Sequence, residues 1–172
     1  MSATGRAWVF GDNVDTDALA PGLYMKGSLA ALASHCLEAV DPNFARSVKP
    51  GDIVVGGLNF GIGSSREQAA QVLKELALHA VVAHSYGGIF YRNALNCGLL
   101  AVTCAETGRI SPGDELRVDA AAGMIVNEST GETFACDPVP EHLMEMIEAG
   151  GLVPHLAKRL ARDNNEQERK AP

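Results

Sequence analysis

Between residues 52 and 103 the chain runs strand, glycine turn, helix, strand, helix, strand. The short apolar stretches at 52–57, 80–84 and 99–103 are bounded by Gly, Pro, Asn or Asp, as strands are. Strands separated by a helix cannot join as a hairpin. They pair in parallel, with the helix as a right-handed crossover. In the first helix Ala69, Val72, Leu73, Leu76 and Ala77 fall at i, i+3, i+4, i+7 and i+8, one apolar face. This order alone places the chain in the α/β class.

The remaining elements add to that frame. Stretches at 7–10, 115–119, 124–127 and 133–136 read as strands, the last three as an antiparallel meander with turns at 119–123 and 129–131. Helical periodicity recurs at 27–39, 64–78, 88–96, 141–149 and 153–162. A length of 172 residues fits one domain of roughly 100–200 residues. Residues 1–162 read as that domain, and 163–172, with no apolar periodicity, as a flexible tail. There is no internal repeat.

Several classes of protein are excluded. No apolar run approaches the roughly 18 residues of a spanning helix, and residues 1–6 lack the pattern of a secretory signal, so the expected location is the cytoplasm. A net charge of −7 offers no basic footprint for nucleic acid. The four cysteines, at 36, 97, 104 and 136, include no Cys-x-x-Cys pair, so no self-contained metal centre is expected. They read as reduced core thiols.

Chemistry concentrates in Asn59-Phe60-Gly61-Ile62-Gly63-Ser64-Ser65-Arg66-Glu67, which follows a buried strand and opens a helix. Ser64 with Glu67 three residues on forms a capping-box signature, which predicts Ser64 at the N-cap. Gly61 and Gly63 allow a tight turn that aims N–H groups at one point. The helix dipole and the Arg66 fork would favour a phosphate or carboxylate there. The plain alternative is an ordinary strand–helix turn. A second cluster, Asp12, Asn13, Asp15, Thr16 and Asp17, either holds a divalent ion or forms an Asx-stabilised turn; it lacks the glycine and terminal glutamate of a calcium loop. A third is the aromatic helix containing Ile89, Phe90, Tyr91, Arg92 and Asn93, read mainly as packing.

Taken in order, these stretches resemble the small subunits of the isopropylmalate dehydratase and homoaconitase group, equivalent to the swivelling fourth domain of aconitase. The likeness rests on 11–17, 49–57, 59–67, 89–96 and 148–154 and covers about residues 8–160. It implies a three-layer β/β/α swivel domain and a hydro-lyase that removes and re-adds water on a malate-type 2-hydroxy acid. 3-Isopropylmalate, in leucine biosynthesis, is the leading substrate; homoaconitate and dimethylmalate-type acids are the alternatives. By the same resemblance a [4Fe–4S] cluster is carried by a separate large subunit, Ser64 is the base, and Ser65 and Arg66 hold a substrate carboxylate. Asp17, Gly61 and Gly63 support the site, and Lys26 lies where relatives reach the substrate's variable arm, with Leu23, Tyr24 and Met25 beside it. No metal ligand is expected in this chain.

The sequence departs from the group's pattern at Ile62, Gln68 and Gly88, none of which is the expected base. From a different class, a stand-alone phosphate- or nucleotide-binding module would use the same glycine turn, but Gly-Lys-Ser/Thr and a ribose-binding acid are missing. A partner that assembles without catalysing is opposed by the intact Ser64, Ser65 and Arg66.

Overall fold

The structure, a computed structural model, describes residues 3–170, with side chains for 4–162. Seven strands form one sheet in the order β4-β3-β2-β1-β5-β6-β7. Four of them are parallel: β1 (Ala3–Val9), β2 (Ile53–Gly56), β3 (Ala80–Ala83) and β4 (Leu100–Thr103). The crossovers from β2 to β3 and from β3 to β4 are helices α4 (Gln68–Glu75) and α5 (Gly88–Asn96). Strands β5 (Glu115–Asp119), β6 (Met124–Asn127) and β7 (Thr133–Ala135) form the antiparallel meander.

β1 joins the two halves by dividing its length. Residues 7–9 pair in parallel with 53–55 of β2, and residues 3–6 pair antiparallel with 115–118 of β5. Every residue of β2 and β3 is buried, as expected of parallel strands covered on both faces.

Side chains alternate between those faces. Val54 and Val81 point into a core shared with Phe44, Phe60, Leu73 and Phe90, on the helical side. Ile53, Val55, Val82 and Val102 point the other way, into a core closed by Leu116, Val118, Ile125 and Phe134 of the meander. The sheet therefore curls so that its antiparallel half covers its parallel half. The result is the expected β/β/α layering.

Four small elements have no counterpart in the apolar periodicity: α1 (Thr16–Leu19), α3 (Phe44–Ser47) and two 3-10 turns, Gly22–Tyr24 and Thr107–Arg109. The expected helix at 27–39 shortens to α2 (Leu29–Ala33). Leu37 adopts φ +59 and donates its N–H to Ala18 O at 2.8 Å, which ends the helical path. α6 (Glu141–Glu148) matches expectation, whereas α7 (Leu152–Lys170) runs past residue 162, where periodicity stops. Of the expected tail, 163–170 continue the α7 backbone and 171–172 lie outside the described residues. No described helix is long and apolar enough to cross a membrane.

Candidate active site

All four parallel strands end at one edge, and the loops after them rise together there. In open α/β sheets this carboxyl edge is where ligands bind. The loops are tied to each other. Gly61 N–H donates to Val14 O at 2.7 Å, Thr16 N–H donates to Ile62 O at 2.9 Å, and Asp15 pairs with Ile62 as an isolated parallel bridge. On the far side Phe60 N–H donates to Ser85 O at 2.9 Å, and Gly87 N–H donates to Phe60 O at 2.8 Å. Beneath them Phe60 sits edge-on to Phe90, with ring centroids 5.4 Å apart.

Two glycines shape the turn that carries the serines. Gly61 has φ +75, and a Cβ there would lie 2.1 Å from Phe90 Cγ. Gly63 has φ +122, and a Cβ there would lie 2.8 Å from Thr16 Oγ1. Each thus needs both a backbone conformation and a space that only glycine supplies. Gly61→Ala is expected to destabilise the fold by about 3 kcal/mol or more, adding the left-handed penalty to overpacking against Phe90. A urea denaturation midpoint within experimental error of the parent's would overturn this.

The capping box does not form. α4 begins at Gln68, and its N-cap residue, Glu67, makes no side-chain cap bond. Ser64 stands four positions before the helix, and its N–H donates to Thr16 Oγ1 at 3.0 Å. Its hydroxyl lies 3.2 Å from the same Thr16 oxygen. The dipole's influence fades within the first turn, so the helix start is not what supports Ser64. Ser65 is exposed, and among the described residues the N–H groups of Ser65 and Arg66 meet no protein acceptor.

Arg66 is held from the first loop. Its Nη1 donates to Asp17 Oδ1 at 2.5 Å and to Ala20 O at 3.1 Å. The Arg66 hydrogen bond, helped by the Gly22 N–H, keeps the Asp17 carboxyl below its ordinary range. α1 therefore spends consecutive residues on the turn: Thr16 on Ser64 and Asp17 on Arg66.

The structure brings Asp17, Gly61, Gly63, Ser64, Ser65 and Arg66 into one locality. Lys26 is exposed, and no hydrogen bond or ion pair among the described residues joins it to Ser64 or Arg66. Of its neighbours, Tyr24 stacks on His35 and packs with Met25 against the helical-side core, leaving Leu23 exposed. Thr16 was expected only as part of the acidic cluster; its tie to Ser64 spans 48 positions and has no local signature.

The acidic cluster resolves as a turn. Asp12 Oδ1 accepts from Leu58 N–H at 2.7 Å, Asp15 Oδ1 accepts from Ala18 N–H at 2.7 Å, and Asp17 faces Arg66. Of the departures from the family pattern, Ile62 is exposed and holds the Asp15 bridge through its backbone. Gln68 opens α4, and a side chain at Gly88 would meet open space.

Residues 30–107 match the family model described as the aconitase C-terminal domain. Two β layers under one helical layer, with a Gly-Ser-Ser-Arg turn at the carboxyl edge, define a swivel domain of the aconitase type. The relatives narrow this further. The 3-isopropylmalate dehydratase small subunit 1 of Archaeoglobus fulgidus is 49% identical over 87% of this chain and 93% of its own. The isopropylmalate/citramalate isomerase small subunit of Methanocaldococcus jannaschii is 47% identical over 91% of this chain and 95% of its own. A crystal structure of 3-isopropylmalate dehydratase from M. jannaschii superposes with a TM-score of 0.91 at 42% identity, over 96% of this chain and 99% of that one. The chain belongs to the family of 3-isopropylmalate dehydratase small subunits.

Proposed function

We propose that this chain is the small subunit of a two-subunit hydro-lyase that dehydrates and rehydrates a malate-type 2-hydroxy acid, with 3-isopropylmalate as the substrate. The observation that carries the reading is the turn at residues 63–66, set at the carboxyl edge and held by Thr16 and Asp17. Ser64 takes the carbon-bound proton. The free N–H groups of Ser65 and Arg66 and the rest of the Arg66 fork receive a substrate carboxylate. Family kinship at 43–49% identity over most of the chain supports the same reading.

The family's iron–sulfur cluster does not fit residues of this chain. Cys36, Cys104 and Cys136 are buried in the two cores, and burial pushes the Cys136 thiol up to about 11. Among the described residues no three His, Cys, Asp or Glu side chains gather at one point. We assign the cluster to a separate large subunit, which makes this chain one half of a catalyst. The purified chain is expected to fold but to show no dehydratase turnover. The pair, co-expressed and reconstituted anaerobically, is expected to convert 3-isopropylmalate. Turnover by the chain alone, or a reconstituted pair inert towards every malate and citrate homologue tried, would overturn the reading.

The loop after α1 reads the substrate's arm. A side chain at Gly22 would come within 3.7 Å of Arg66 Nη2, so the neighbouring exposed Leu23 lies at the rim of the turn. That favours an apolar arm, and Lys26 a polar one. Lys26→Ala is expected to change the ranking of isopropylmalate, a methylated malate and homoaconitate more than turnover on any one. Equal losses on all three would remove Lys26 from specificity.

A further inference from the structure

We infer that Thr16 is the positioning residue that orients and ionises the Ser64 hydroxyl. This rests on the reading of Ser64 as the base. A serine hydroxyl is a very weak acid, so a basic role requires a donor aimed at its oxygen. The helix start does not provide one, because α4 begins at Gln68. Nor do the described contacts of Arg66, whose Nη1 is given to Asp17 and the Ala20 carbonyl.

Thr16 stands in the right place. It is 3% exposed, and its backbone is fixed by the N–H bond to Ile62 O at 2.9 Å. Its Oγ1 already accepts the Ser64 N–H at 3.0 Å. Among the described residues the other hydrogen-bond partner of that oxygen is Ser64 Oγ, at 3.2 Å. Between two neutral hydroxyls either oxygen can donate; once Ser64 is ionised its oxygen only accepts, and the Thr16 proton turns to it. The missing side chain at Gly63 keeps the two hydroxyls adjacent, since a Cβ there would press on Thr16 Oγ1 at 2.8 Å.

In this arrangement Ser64 loses its proton to solvent, and the alkoxide accepts the Thr16 hydrogen bond. The alkoxide then takes the carbon-bound proton and becomes a hydroxyl again. The electron pair left on carbon forms the double bond as the neighbouring hydroxyl departs. Thr16 exchanges no proton; it lowers the cost of the charged serine, as a preorganised donor does.

The test compares Thr16→Val and Thr16→Ser in the reconstituted pair, with Ser64→Ala as control. Hydrogen bonds to charged groups contribute enough that Thr16→Val is expected to lower kcat about 10- to 100-fold with KM nearly unchanged. Because the alkoxide loses its donor, the ascending limb of kcat against pH is expected to move up by about one unit. Thr16→Ser is expected to recover most of the rate and return the limb. If Thr16→Val does not assemble, Thr16→Ser against Thr16→Ala isolates the same oxygen, since both lack the methyl group. A limb that stays in place, with Ser64→Ala inactive, overturns this inference alone. An active Ser64→Ala overturns the assignment of the base itself.

Discussion

Ser64→Ala, assayed in the reconstituted pair, is expected to lose turnover by about 100- to 10,000-fold, the usual consequence of removing a positioned base. Stability should barely change. A serine at an N-cap would carry about 1 kcal/mol of helix stability, but this hydroxyl caps nothing and faces Thr16. Turnover and thermal midpoint together therefore separate the two roles the sequence motif could serve. A mutant that keeps near-normal turnover would exclude Ser64 as the base. One that loses stability on the scale of a cap would restore the helix-start reading.

Arg66→Lys is expected to act on binding instead. Lysine keeps the charge but not the planar fork, so it cannot hold Asp17 and the Ala20 carbonyl while facing a carboxylate. Apparent KM should rise about 10- to 100-fold, the scale of one lost charge-assisted hydrogen bond, with a smaller change in kcat. An unchanged KM would dismiss Arg66 as a carboxylate binder. The pH dependence follows from Asp17. Its carboxyl titrates below the ordinary range in the folded chain, so the ion pair is fully present above that range. It is lost only as pH falls through the depressed value, and KM should stay flat from neutrality down to about pH 5.

Much of the fold was legible because β2 and β3 are buried on both faces and β5 and β6 alternate between buried and more exposed positions. β5 and β6 fall where the alternation places them, and α5 matches its periodic stretch. What failed were local signals overruled by distant partners. Ser64 and Glu67 carry the letters of a capping box, yet Thr16 takes the Ser64 N–H and the helix starts later. The apolar pattern at 27–39 gives way where Leu37 turns to reach Ala18. The expected site was read from its own turn, and the structure places Ser64, Ser65 and Arg66 together there. The contact of Thr16 with Ser64 comes from the other loop and leaves no mark in the local pattern.

The divided pairing of β1 bears on how the molecule is made on the ribosome. Residues 7–9 of β1 find their partner early, in β2, whereas residues 3–6 wait for residues 115–118. Everything that builds the carboxyl edge, from Thr16 to the loop after β4, leaves the exit tunnel before that partner does. A nascent chain thus presents a nearly complete carboxyl edge backed by an uncovered apolar sheet face, a state exposed to aggregation. A chain ended at residue 110 and released from the ribosome is expected to remain chaperone-bound, because the meander that covers Ile53, Val55 and Val82 is missing; a chain that stays soluble without chaperone would overturn this.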